Sequence, residues 1–311
     1  MSTRVAVIGG GQNCEHEVSL ASAASVAAEL DADYDVVRLT IDPDGDWLDA
    51  EGHRLGLAAA VALLDTCAVA FPVLHGPRAE DGTVAALCDL AGVRYVGSGV
   101  RAGALAMDKW ATKLIAEAVG VAITPGVLLD ARSAAWYEWT HPVVVKPIAS
   151  GSSHGVSLVL RAEELAPALK AALSFDDRIL VEDVVVGREI DVAVIRDAAG
   201  EPTFAPALEI LTEGLFSFAT KYGGTAAFAV PAALSEPELK GLQSAALAVY
   251  DALGCAGVAR VDFFLTEAGP VLNEVNTSPG FTEQSQVPKM FAAAGVAYGD
   301  LLDLLILDAL R

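Results

Sequence analysis

The chain opens on an apolar run over residues 4–8 that stops at Gly9-Gly10-Gly11, shows apolar positions at helical spacing over residues 16–30, and returns to an apolar run over 36–41. Short runs joined by a helical repeat predict a β-α-β unit. The pattern next predicts a strand near 67–73, a helix beginning near Thr83 and one long helix over 99–119. After Pro125 the rhythm changes. Residues 143–145, 156–160, 179–182, 190–195 and 203–208 read as successive strands with one helix among them, at 162–173, which predicts α+β organisation with much antiparallel sheet. The Gly-, Ala- and Ser-bearing stretch 212–225 is long enough to predict a lid. Ser235 reads as the N-cap of a helix reaching Leu253, with Pro237 in its first turn, where a missing N–H costs nothing.

Two segments near the end of the chain carry the strongest chemical signal. Arg260-Val261-Asp262-Phe263-Phe264 and Leu272-Asn273-Glu274-Val275-Asn276 are strand-forming, and Glu267-Ala268-Gly269-Pro270 between them can turn the chain back as a hairpin. Side chains two apart on a strand share a face, so Arg260 projects with Asp262, and Glu274 with Asn276. If the two faces coincide, one cation lies beside two carboxylates and an amide carbonyl. Such hard oxygen ligands suit magnesium rather than zinc, with nucleotide phosphates filling its remaining positions. Polar alternation on a half-exposed hairpin explains any single pair. Four groups in phase, ending in Asn276-Thr277-Ser278-Pro279-Gly280, favour the metal-nucleotide reading.

The 311 residues leave room for two or three domains, and 53% hydrophobic with 20% charged residues predicts a sizeable core. A formal charge of −21 argues against a nucleic-acid footprint, so an anionic substrate must be met by locally placed Lys and Arg. Cys14, Cys67, Cys88 and Cys255 lack the spacing of a disulfide framework or a zinc site, and reduced thiols are expected. The apolar residues before Gly9 are too few for a signal-peptide core, and the apolar window 55–74 is interrupted by Asp65 and Pro72. A cytoplasmic protein, with no membrane and no nucleic-acid partner, is the expectation.

Several motifs compete. Gly9-Gly10-Gly11 follows a strand, but Cys14 stands where the dinucleotide fingerprint needs its third glycine. Glu15 and Glu17 flank His16 in a first helical turn, where capping accounts for them as well as a substrate ammonium does. Gly151-Ser152-Ser153-His154-Gly155 matches a nucleophile elbow formally, yet a strand pattern follows it and no histidine occurs beyond His154. A Gly/Ser hairpin loop wrapping phosphates fits better. Lys146 ends an apolar strand just before that loop and needs an anion nearby. No Walker motif is present, so an ATP site must use another fold. The loop His75-Gly76-Pro77-Arg78-Ala79-Glu80-Asp81-Gly82-Thr83 crowds charges before a helix, where Asp81 or Thr83 can serve as a cap.

Together, the opening Gly10-Gly11-Gln12-Asn13-Cys14-Glu15-His16-Glu17-Val18-Ser19-Leu20, the 75–83 loop and the 260–280 block resemble the D-alanine–D-alanine ligases of the ATP-grasp superfamily. The resemblance covers nearly the whole chain. It implies an ATP-grasp fold, α/β and α+β, with an N-terminal Rossmann-like domain over 1–99, a central subdomain over 100–185 and a C-terminal subdomain over 186–311 that carries the lid 212–226. It implies ATP contacts at Lys109, Lys146, Ser152, Ser153, Glu182, Glu189 and Lys221. Asp262, Glu274 and Asn276 would hold two Mg2+ ions, with Mn2+ able to substitute. Glu15, assisted by Ser152 and Tyr222, would orient the first amino acid's ammonium, with Val18 and His75 in the same site. Arg260 and the Gly280 amide would form the oxyanion site, and Lys221 and Ser285, beside Gln286, would receive the second amino acid. The implied activity is ATP-dependent joining of two D-alanines through an acyl phosphate for peptidoglycan precursor synthesis, by a homodimer. This sequence departs from the pattern at Asn13, usually serine, at Ala79, usually glycine, at Ala219-Thr220, and around Glu283, Gln284 and Gln286, where an apolar residue is common at 286. Tyr222 favours an amine nucleophile, while Gln286 leaves open a more polar second substrate such as D-serine. A ligase for another dipeptide and a non-catalytic nucleotide-binding homologue are the alternatives.

Overall fold

The structure, a computed structural model, describes residues 2–197, 199–211 and 227–311. Its strands form three sheets. In the first, of five strands, Arg4–Gly10 pairs in parallel with Asp35–Ile41 on one side and Val69–Pro72 on the other. Val5, Ala6, Val7 and Ile8 are all buried, as a central parallel strand covered on both faces requires. Val5 and Val7 meet Val26 and Leu30 of the helix His16–Leu30 and Leu302 and Ile306 of the helix Tyr298–Ala309. Ala6 and Ile8 pack on the opposite side with Leu39, Leu64 and Cys88. Gly10 ends the strand at φ +92, and a side chain there would collide with the Ile41 carbonyl, so glycine alone closes this turn.

The second sheet is antiparallel, in the order Gly126–Asp130, Arg178–Asp183, Val143–Pro147, Ser157–Val159. The helix Ala162–Ala172 covers one face with Leu165, Ala168, Leu169 and Ala172. The third sheet centres on Arg188–Arg196, Ala259–Thr266 and Gly269–Asn276, all antiparallel; Ala122–Ile123 adds in parallel at one edge. Ile190, Val192, Val261 and Phe263 point to the face covered by the helix Glu236–Leu253. Ser235 caps that helix in a reciprocal box with Glu238, and Gly254 ends it in a left-handed conformation.

Two expectations from the pattern need correction. The 99–119 helix is two helices, Val100–Met107 and Lys109–Ala118. Asp108 between them is extended, and its carboxylate accepts the Ala111 amide at 2.9 Å, so it starts a new helix rather than continuing the old one. The 203–208 strand is likewise two, Pro202–Phe204 and Leu208–Leu211, separated around Pro206, which has no N–H to pair. The lid expected at 212–225 lies outside the described residues. Among the described residues no single helix is long and apolar enough to cross a membrane.

Candidate active site

Pairing of Ala259–Thr266 with Gly269–Asn276 places Arg260 opposite Asn276 and Asp262 opposite Glu274, so the two faces coincide. The neighbouring strand adds Asp191 opposite Asp262. Asp191, Asp262 and Glu274 thus form one row across three strands, on the face away from the Glu236–Leu253 helix. The register then slips: Phe263 pairs with Leu272, which leaves Asn273 as the extra residue of a bulge. Bulges re-aim side chains. Here Asn273 Oδ1 accepts from Lys146 Nζ at 3.3 Å across the gap between the second and third sheets.

The charges around this row are interlocked. Arg260 donates from Nε and Nη2 to the two Asp262 oxygens at 2.7 and 2.8 Å, and from Nη1 to Gln286 Oε1 at 2.7 Å. Its Nε lies 3.5 Å from Asp191. Burial alone would lower the Arg260 pKa, but Asp262 and then Asp191 outweigh it and hold the guanidinium well above its ordinary value. Lys109 reaches Glu274 at 3.1 Å and the Ser150 carbonyl at 2.9 Å. Glu182 is shared between two ammoniums, Lys113 at 2.6 Å and Lys146 at 2.5 Å. Its burial is outweighed by these two lysines, which keep its pKa below the usual range. Lys113 goes the other way: burial and the Lys146 charge prevail over Glu182 and lower it to about 8.

The loop after Val143–Pro147 holds Ser152 and Ser153 at φ 51 and 58, a left-handed conformation uncommon outside glycine. It brings the Ser152 hydroxyl onto the Glu15 carboxylate. A side chain on Gly151 would collide with that same carboxylate. Asn13 ties the opening loop to the 75–83 loop: its Oδ1 accepts the Glu15 amide, and its Nδ2 donates to the His75 and Pro77 carbonyls. His75 donates from Nδ1 to the Ser278 carbonyl at 2.8 Å, and its buried Nε2 has no partner among the described residues. Burial lowers the His75 pKa despite Glu15, which keeps the ring neutral and Nε2 an acceptor. Burial, then the Glu15 charge, raises Glu80 to about 8.

Two cavities meet here. One of about 710 Å³, between the second and third sheets, is lined by Lys146, Ser153, Glu182, Glu189 and Asp262. The other, of about 580 Å³, is lined by Glu15, Val18, His75, Gly280, Ser285 and Gln286, with Ser152 and Asn276. Both fall in the size range of small-molecule sites. Lys109, Ser150, Arg260 and Glu274 line both, so this wall is where a group held in one cavity faces a group held in the other. Every expected site residue within the described part of the chain is at one of these cavities; Lys221 and Tyr222 lie outside the described residues. A separate cluster of Asp49, Glu51 and His53 sits on a turn where the Asp49 carboxylate already accepts the Glu51 and His53 amides.

Sequence reasoning missed Lys113, Asn273 and Asp191. Lys113 follows Lys109 by one helical turn, a spacing that places both on one face. Asp191 interrupts the apolar run Ile190-Asp191-Val192-Ala193-Val194, and a charge inside such a run signals a buried partner. Nothing local marks Asn273, because a bulge depends on the partner strand.

Residues 4–60 and 56–98 match the family model described as D-ala D-ala ligase N-terminus, and residues 129–307 match D-ala D-ala ligase C-terminus. A D-alanine–D-alanine ligase from Corynebacterium urealyticum is 38% identical, across 99% of this chain and 98% of the relative. Among solved structures, the VanG D-Ala:D-Ser ligase from Enterococcus faecalis superposes with a TM-score of 0.84 at 30% identity, covering 99% of this chain and all of the other. D-alanyl-alanine synthetase A from Vibrio cholerae superposes with a TM-score of 0.86 at 28% identity, over 99% and 98% of the two chains.

Proposed function

The chain belongs to the D-alanine–D-alanine ligase family, and from that premise we propose how its two cavities join two D-alanine molecules with ATP, supplying the D-alanyl-D-alanine of peptidoglycan. The observation that carries the reading is the row of Asp262 opposite Glu274, beside Arg260, with Glu274 and Arg260 in the wall common to both cavities and Asp262 on the side of the larger one. The larger cavity takes the nucleotide and the smaller takes the amino acids. An all-oxygen donor set of Asp262, Glu274 and Asn276, with lysines close by, fits magnesium bound to phosphates, two ions by the family pattern, and would accept manganese. When bound, the metal supplies positive charge to the phosphates.

The chain's own residues supply the rest. Lys109 and Lys146 offset charge on the phosphoryl group as it passes from ATP to the first D-alanine's carboxylate. Ser152 and Ser153 line the phosphate path, and Glu182 and Glu189 border the nucleotide cavity. Glu15, steadied by Ser152, and the acceptor Nε2 of His75 receive the first ammonium over Val18; Tyr222 completes the set. The second D-alanine's free amine attacks the acyl carbon, the carbonyl oxygen takes up negative charge, and collapse expels phosphate. Arg260 and the Gly280 amide face that oxygen. Ser285, at the start of the helix Gln286–Ala293, and Lys221 receive the second carboxylate, which the helix N-terminus also favours.

The division into 1–99, 100–185 and 186–311 is kept as part of the family reading, although Ala122–Ile123 pairs into the third sheet across its second boundary. A cytoplasmic homodimer follows from the family reading. The relative named for D-serine makes a D-Ala:D-Ser ligase the second reading. The deciding experiment measures ATP-dependent phosphate release with Mg2+ over D-alanine, L-alanine, D-serine, D-lactate and mixed pairs, with product masses. Release with D-alanine alone, matched by D-alanyl-D-alanine, is expected. Turnover only with a mixed pair would transfer the assignment to a different ligase, and ATP binding without turnover would mean a non-catalytic homologue.

A further inference from the structure

Gln286 lines the amino-acid cavity, and the structure shows both the oxygen and the nitrogen of its amide hydrogen-bonded. Its Oε1 accepts from Arg260 Nη1 at 2.7 Å, and its Nε2 donates to Asp191 Oδ2 at 2.8 Å. Only this orientation works, because a guanidinium donates and a carboxylate accepts. Asp191 is fully buried and faces Asp262 across the strand pair, so the amide is pinned from the floor of the sheet.

The consequence falls on Arg260. A guanidinium has five N–H groups. Asp262 takes two and Gln286 one, which leaves one on each terminal nitrogen, on a side chain that lines both cavities. Bonds to Asp262 alone fix one edge of the plane. The third bond, on Nη1, settles where the remaining pair points.

Resting on the ligase reading above, we propose that Gln286, braced by Asp191, is a positioning residue for Arg260: it aims the free N–H pair at the acyl carbonyl.

The test compares wild type, Gln286→Leu and Asp191→Asn in phosphate release with D-alanine, D-serine and D-lactate as second substrate. It adds the affinity of a phosphinate dipeptide analogue that copies the tetrahedral intermediate. In Gln286→Leu, kcat is expected to fall about 10- to 100-fold while KM for the second D-alanine moves less than about 3-fold. The order of preference among second substrates stays that of wild type. Affinity for the phosphinate drops by a factor close to the loss in kcat, since only an interaction specific to the transition state is lost. Asp191→Asn lowers kcat in the same way and adds little on top of Gln286→Leu. Should Asp191→Asn not fold, the kcat, KM and phosphinate pattern of Gln286→Leu decides alone. A changed order of preference, or a raised KM with kcat intact, would assign Gln286 to the substrate, and unchanged kinetics would remove it from the mechanism. Both overturn this inference alone. Failure of wild type to make the dipeptide would instead sink the ligase reading, and this inference with it.

Discussion

Glu182 sits between two lysines, and counting charge predicts what each removal does. With the carboxylate present, Lys113, Lys146 and Glu182 sum to one positive charge, in a place where Lys113 and Glu182 are 1% and 3% exposed. Glu182→Gln leaves two ammoniums around an uncharged, almost fully buried amide. Removing one member of a buried ion pair costs about 3–5 kcal/mol. The lower half applies here, because Lys113 can release its proton: its pKa of about 8 already includes the support of Glu182, so without that carboxylate it falls lower and releasing the proton at pH 7 costs at most about 1.4 kcal/mol. Lys113→Met takes the sum to zero and keeps the Lys146–Glu182 pair, so it costs less than about 1 kcal/mol. The double variant is then more stable than Glu182→Gln alone by about 1–2 kcal/mol, since no surplus ammonium is left to neutralise. Urea unfolding at pH 7, without ligand, measures all four proteins. A Lys113→Met loss as large as that of Glu182→Gln, or a double variant no more stable than Glu182→Gln, would refute the charge count.

The same lysine predicts a pH dependence. Between about 8 and its unfolded value of about 10.4, Lys113 is less protonated in the native state than in the unfolded chain. Stability from this group therefore rises with pH across that window and is lost as pH falls through about 8; Lys113→Met should flatten the slope, and an unchanged slope in urea unfolding at stepped pH would contradict the assignment. Glu15→Gln should raise KM for the first amino acid about 10-fold or more, through loss of a charge-assisted hydrogen bond, and leave KM for ATP nearly unchanged; equal effects on both would remove its role. Asp262→Asn should lower turnover by more than about 100-fold at low Mg2+, with partial recovery as Mg2+ is raised, because the variant loses a hard ligand and one edge of the Arg260 clamp together. Full activity at low Mg2+ would disprove that site.

Some of this protein can be read from local pattern. The period of two in Arg260-Val261-Asp262 and Glu274-Val275-Asn276 fixes which side chains share a face, and the structure pairs those faces in register. Helical spacing places the first helix at His16–Leu30 and the Ser-x-x-Glu box starts the helix at Glu236. These features depend on neighbours in sequence, where backbone geometry alone sets direction. Asp108 could also have been read, since an aspartate before Lys109 is a cap signal that the apolar pattern overrode.

What the sequence by itself determined is the opening β-α-β unit, the hairpin that carries Arg260 to Asn276, the face each reactive side chain occupies on it, and the family. The tertiary structure decided which faces meet. Only pairing with Ala259–Thr266 makes Asn273 a bulge that reaches Lys146, only strand pairing within the second sheet together with the approach of the helix Lys109–Ala118 puts Lys146 and Lys113 on one carboxylate, and only the approach of the helix Gln286–Ala293 turns Gln286 from a surface amide into a brace for Arg260. Each of these depends on a partner distant in the chain, and in a buried site the partner, more than the residue type, sets a side chain's charge and direction.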